Sequence, residues 1–234
     1  MLYDLRELGE RCGKNRVARL MRQEDLSPRQ KRRFRPRTSD SRHEHPIAAN
    51  WLAKVPTPDR PGQVWQSDFT SIQTAQGWLF LAFTLDACTR RCVAHHCRND
   101  MRTELVTTTF ALALRRQPPP PGLLHHSDRG VQYAAQDFRH LAAARGITLS
   151  MSRTGNPYDN ALAESFVATL KIECFGDSLP ATKAEAQLMA FDYIETFYNP
   201  HRRHSALGYR SPRDFEEQMF PPNKTKQSNN TNPN

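Results

Sequence analysis

Residues 78 to 88 read W-L-F-L-A-F-T-L-D-A-C, an apolar run bounded by Gly77 before it and charged residues after it. A run of this length and composition reads as a strand covered on both faces, which must have neighbours on either side. Both neighbours are present: residues 63 to 74 alternate as a strand, with Gly77 permitting a turn, and residues 91 to 98 form a third run. Such short connections allow only an antiparallel meander. Residues 102 to 116 then follow a helical pattern, ended by Gln117 and four prolines, Pro118 to Pro121. A helix leading into the strand Leu123 to Ser127 is what a right-handed crossover needs to lay that strand parallel to the first, bringing Asp128 towards Asp68. An alanine-rich helix over 134 to 145 stops at Gly146, and Ile147 to Met151 supply a fifth strand. The expected fold is therefore α/β, a five-stranded mixed sheet flanked by helices.

The stretch S-M-S-R-T-G-N-P-Y-D-N-A-L-A-E-S-F-V-A-T-L-K-I-E-C, residues 150 to 174, predicts another helix. Asp159 or Asn160 is its expected N-cap, and Leu162, Phe166 and Leu170 recur at a spacing of four. Glu164 lies in its first turns, and Lys171 follows seven residues on, two turns later and on nearly the same face. A last helix is expected over 182 to 198.

Charge divides the chain. Residues 1 to 60 hold 15 Lys and Arg against 8 Asp and Glu, whereas the remainder is nearly balanced, within a net charge of +9. A basic arm suits an anionic polymer, because neutralising phosphates releases condensed counterions; a solvated basic tail explains the same composition. Residues 1 to 26 read as two short helices with Arg16, Arg19 and Arg22 at every third position of the second, and with Val17, Leu20 and Met21 as its apolar residues. They fit either part of a DNA-reading helix-turn-helix or an ordinary helical hairpin. Residues 27 to 61 form a basic linker that includes Arg32 and Arg33, with the stretch from His43 expected to pack loosely; residues 62 to 220 form the core with a C-terminal helical extension, and 221 to 234 a polar tail. Apolar residues make up 38% of the chain, and no run approaches bilayer length, so a membrane is not an expected partner. Five cysteines, an odd number without a visible export signal, suggest reduced thiols and a cytoplasmic, nucleoid-associated setting. Cys88, Cys92, His95, His96 and Cys97 crowd together, but strand alternation sends such side chains to opposite faces, which argues against zinc.

Taken singly, Asp68, Asp128 and Glu164 each have an unremarkable reading: strand-edge charge, turn former, solvated helix residue. Brought together they would repel by about 4 kcal/mol per ionised pair at a separation of roughly 4 Å, a repulsion that two divalent ions relieve. Oxygen ligands favour Mg²⁺ or Mn²⁺. The segments W-Q-S-D-F-T, H-S-D-R-G-V-Q-Y, the 150 to 173 stretch, and Y-I-E-T-F-Y-N-P-H-R-R-H-S-A-L-G-Y-R-S-P, with 35 residues between Asp128 and Glu164, resemble the insertion-sequence-three family of bacterial transposases from about Gly62 to Phe215.

That resemblance implies a ribonuclease-H-like core of the retroviral-integrase type. It makes Asp68, Asp128 and Glu164 the catalytic, metal-binding triad with two Mg²⁺ or Mn²⁺ ions, and makes the reaction metal-dependent strand cleavage and strand transfer. It assigns Lys171 to DNA near the reacting end, although a solvated lysine is the commoner fate. Arg202 and Arg203 are candidates for phosphate contact, with helix capping as the plain alternative. His126 fits either the motif or strand packing, and Asn156, Tyr158, Asp159 and Asn160 are accounted for by turn and cap formation. Implied partners are terminal repeats and target DNA, further copies of the chain, and the product of an upstream frame, since family members carry a larger region before the core. A truncated, non-catalytic protein that occupies element ends is the rival reading.

Overall fold

The computed structural model describes residues 1–27, 45–154 and 156–221; Arg32 and Arg33 lie outside the described residues. The chain opens with two short helices, α1 (Leu2–Glu7) and α2 (Lys14–Gln23). Of α2 only Val17 is buried, and Leu20, expected on the apolar face, is exposed. With so little to bury, this pair cannot stabilise itself and leans on the far end of the chain. Tyr3 stacks on Tyr209 with ring centroids 4.0 Å apart, and Asp4 and Glu7 both pair with Arg203.

Residues 45 to 61 are less loosely held than their proline content suggests. The backbone N–H groups of Trp51 and Leu52 donate to Ser150 Oγ at 2.9 and 3.1 Å, and Asn50 Nδ2 donates to Asp159 Oδ2 at 2.8 Å. The meander follows as β1 (Val64–Thr74), β2 (Gly77–Asp86) and β3 (Cys92–Arg98). Buried Asp86 ends β2 by accepting the N–H groups of Gly62, Cys88 and Thr89, which fixes both the β2–β3 turn and the entry to β1. After α3 (Thr103–Arg116) the prolines return the chain against Gly62, where φ is +79° and an added Cβ would sit 2.6 Å from Pro120 Cδ. Only glycine fits that conformation and that approach.

The crossover delivers β4 (Leu124–Ser127), and β5 (Thr148–Met151) completes a sheet of order β3-β2-β1-β4-β5, with β1, β4 and β5 parallel and β2 antiparallel to its neighbours. The helix expected over 134 to 145 is instead two, α4 (Val131–Ala134) and α5 (Gln136–Ala143), because Ala135 is extended at φ −60°, ψ 149°. Alanine propensity predicts no such break. No helix among the described residues is long and apolar enough to cross a membrane.

Each sheet face is covered. Strand alternation sends Trp65 and Ala82 towards α3 and α5, where Phe110, Phe138 and Ala142 meet them. Ile72, Leu81, Phe83 and Leu85 point the other way, against α6 (Ala161–Leu170) and α7 (Lys183–Asp192). Phe166 of α6 is wedged between Phe83, at 4.5 Å, and Tyr198, at 4.8 Å. Both helices continue as wider π turns, Lys171–Phe175 and Tyr193–Tyr198, before α8 (Pro212–Met219). The expected helix over 182 to 198 is thus α-helical only to Asp192.

Candidate active site

The parallel pairing of β1 with β4 builds the site. Val64, Trp65 and Gln66 pair with Leu124, His125 and His126. Continued two residues beyond Gln66 and His126, this register leads to Asp68, midway along β1, and to Asp128, one residue past the end of β4. Asp68 lies opposite Phe83, so its side chain shares the sheet face that α6 covers. Glu164 stands in the first turn of α6 and is itself half-buried.

Electrostatics links the three. Burial above all, then the charge of Asp128, and also that of Glu164, raise the pKa of Asp68 well above the usual carboxylate range. Two donors oppose the shift: the Phe69 N–H reaches Asp68 Oδ1 at 2.7 Å, and Asn160 Nδ2 reaches Oδ2 at 2.9 Å. Burial likewise raises Glu164. Asp128 Oδ1 accepts the Gly130 N–H at 2.9 Å, a close approach in which an added Cβ would lie 3.0 Å from the same oxygen and push the carboxylate aside. Tyr133 packs beneath; its buried hydroxyl has no partner among the described residues, and its pKa is raised by burial and by the charges of Asp68 and Asp128. The carboxylates share an electrostatic neighbourhood, although among the described residues no three His, Cys, Asp or Glu side chains close tightly enough to hold a metal ion.

His126 is packed rather than free. Nδ1 meets Ser150 Oγ at 2.8 Å and Nε2 meets Ser152 Oγ at 3.0 Å, and burial lowers its pKa to about 4. His125 is buried against Phe110 and Phe138 and bonds Ser67 Oγ at 2.8 Å. Lys171 is exposed where α6 passes into its π turn, beyond Glu164. Arg16 and Arg19 are exposed on α2.

Arg202 and Arg203 are engaged within the chain. Arg202 makes a two-pronged pair with Glu173, both bonds 2.8 Å, and Arg203 holds Asp4 and Glu7. Neither side chain is spent on a helix end among the described residues. Around them, Asn199 bonds both the N–H and the carbonyl of Cys92 at the sheet edge, and the Tyr198 hydroxyl donates to the Arg90 carbonyl. The Y-N-P-H-R-R-H stretch is therefore a structural clasp in this state. His95, from the cysteine-histidine group, pairs with Glu195 at 3.1 Å.

Asn160 is the residue that the sequence reading passed over. It occupies the N-cap position of α6 yet makes no side-chain cap bond, and spends its amide on Asp68 instead. A signal was available, for it precedes Glu164 by four residues and so lies over the same helix face.

A mixed five-stranded sheet with helices on both faces, one acid on its central strand and another just past the end of the parallel neighbour, defines an integrase-type catalytic core, a polynucleotidyl transferase. The integrase core domain matches residues 58–157, and a second integrase core domain match covers 145–212. The core resembles the HTLV-2 integrase catalytic core domain in complex with magnesium (trimeric form), with a TM-score of 0.52 at 15% identity over 66% of this chain and 96% of that one. The insertion element IS600 uncharacterized 31 kDa protein of Shigella sonnei is 44% identical over 214 residues, 92% of this chain and 78% of the relative. Transposase InsF for insertion sequence IS3A of Escherichia coli (strain K12) is 33% identical over 213 residues, 91% of this chain and 74% of the relative. The chain belongs to the IS3 family of transposases, and its work is DNA transposition.

Proposed function

We propose that Asp68, Asp128 and Glu164 form the catalytic centre of this transposase, cutting DNA at the ends of its element and joining the freed 3′-hydroxyl to target DNA. The β1–β4 pairing at Gln66 and His126, two residues before Asp68 and Asp128, with α6 covering the face of Asp68, is the observation that supports this reading. The donor set fits a hard divalent cation: all three side chains offer oxygen, and Gly130 leaves Asp128 room that a Cβ would fill. Two Mg²⁺ or Mn²⁺ ions, held by these three residues, would supply Lewis-acid stabilisation of the phosphoryl oxygens and activation of the attacking water or hydroxyl.

The chain's own residues do the positioning. Asp68 is fixed by the Phe69 N–H and Asn160, Asp128 by the Gly130 N–H, and Glu164 by a helix anchored through Phe166 and Leu170. Lys171, exposed two turns beyond Glu164 on the continuation of that helix, is assigned to the DNA backbone; Arg16 and Arg19 on α2, with Arg32 and Arg33 by sequence, are further candidates for DNA contact. Arg202 and Arg203 are assigned to the intramolecular clasp rather than to phosphate. Partners are the element's terminal repeats and the target duplex. Because two ends must be brought together, several copies assemble on DNA, with the product of an upstream frame as a further candidate.

The test is a cleavage assay on a labelled duplex carrying the inverted end found beside the coding region. Asp68→Asn, Asp128→Asn and Glu164→Gln should each abolish Mg²⁺-dependent cutting and leave binding to the duplex within about twofold. Wild-type cutting by any of them removes that residue from the centre.

A further inference from the structure

Asn160 has the residue type and position of an ordinary helix cap, and an ordinary cap it is not. Its side chain leaves the first turn of α6 uncapped and crosses to the central strand, where Nδ2 donates to Asp68 Oδ2 at 2.9 Å. The residue is only 8% exposed, and its Oδ1 is buried without a hydrogen-bond partner among the described residues. A buried amide oxygen left unspent beside a carboxylate is a cost that packing alone does not explain.

The surroundings show how the side chain is released for this task. The neighbouring Asp159 anchors the loop: its carboxylate accepts the Arg153 backbone N–H at 2.8 Å, Arg153 Nε at 3.0 Å and Nη2 at 2.9 Å, and Asn50 Nδ2 at 2.8 Å. With the backbone held by Asp159, the amide of Asn160 is free to reach across to β1. Asp68 then has one fixed donor on each oxygen, the Phe69 N–H on Oδ1 and Asn160 on Oδ2. Its carboxylate plane is set before any cation arrives.

We propose that Asn160 is a positioning residue of the reaction centre, whose amide fixes the Asp68 carboxylate in the orientation that binds the divalent cation. The inference rests on the reading of Asp68 given above. Partners of this kind, which bond a ligand and not the metal, change metal affinity by about 10- to 100-fold when removed.

Serine and threonine serve as N-caps as well as asparagine does, yet neither reaches Asp68 with an amide. Asn160→Ser and Asn160→Thr therefore separate capping from positioning. Mn²⁺ binding to the full chain is measured by calorimetry without DNA, for wild type, both variants, Asp68→Asn, and Asn160→Ser combined with Asp68→Asn; melting in EDTA reports folding. Both Asn160 variants are expected to melt as cooperatively as wild type, to bind Mn²⁺ about 10- to 100-fold more weakly, and to cut with reduced kcat at little-changed KM for DNA. In the Asp68→Asn background the serine should cause no further loss, as two residues acting through one contact require. Folded Asn160 variants with wild-type Mn²⁺ affinity, or losses that add to that of Asp68→Asn, overturn the positioning role. Wild-type affinity in Asp68→Asn alone overturns the reading of Asp68 instead.

Discussion

Replacing Asp68 by asparagine should stabilise this protein while disabling it. At a separation like the ~4.8 Å spacing of neighbouring parallel strands, the Asp68 and Asp128 carboxylates would repel by ~3 kcal/mol at an effective dielectric near 20. Asparagine removes that repulsion and the desolvation of one charge. It also keeps both hydrogen bonds, since it accepts from the Phe69 N–H and, after Asn160 turns its amide over, donates to the Oδ1 that is now unpartnered. Discounted for solvent at the half-buried site, the net gain is about 2 kcal/mol, or about 4 to 8 °C in Tm for a chain of this size. The pH dependence has a definite sign. The folded pKa of Asp68 is raised above its ordinary 3.8, so its penalty is absent below that value, sets in as pH rises past it, and is complete above the folded pKa. Melting by calorimetry in EDTA should therefore show Asp68→Asn above wild type at about pH 8, with the two curves converging near pH 4. Mg²⁺ should raise wild type alone and narrow the gap. An Asp68→Asn protein that melts at or below wild type in EDTA at the higher pH refutes the electrostatic argument.

Three further outcomes are expected. Asn199→Ala strips the paired amide from the Cys92 N–H and carbonyl at the sheet edge, and should cost about 2 to 4 kcal/mol in urea unfolding, an effect that a merely surface asparagine would not give. His126, whose folded pKa falls from 6.5 to about 4, is held neutral, so the stability it contributes is full above 6.5 and is lost as pH falls through that interval; its imidazole signals should stay in the neutral position at about pH 5. Arg203→Ala releases Asp4 and Glu7, and hydrogen exchange should then quicken across α1 with little change in Tm, because α1 buries no residue and exposed ion pairs are weak.

The sheet was legible in the sequence because its strands are apolar runs separated by turns too short for anything else. The sequence also brings Asp128 towards Asp68, because a helix, four prolines and a strand leave few ways to cross over. What escaped was anything whose cause lies far along the chain. Arg202 and Arg203 look like free cations until Glu173, Asp4 and Glu7 are seen beside them. Asn160 escaped for another reason: its propensity to cap already explained its presence, and a sufficient local cause hid the contact with β1. The π turns at Lys171–Phe175 and Tyr193–Tyr198, and the extended Ala135 between α4 and α5, leave no compositional trace.

Parallel pairing between β1 and β4 rests on only three residues from each strand. Side chains alternate with every position, so deleting one residue between Val64 and Asp68, or between Leu124 and Asp128, turns an acid to the wrong side of the sheet. The loops of the excursion that joins those segments carry no such constraint, and inserted codons should be tolerated in them far better than within the strands on either side of the acids.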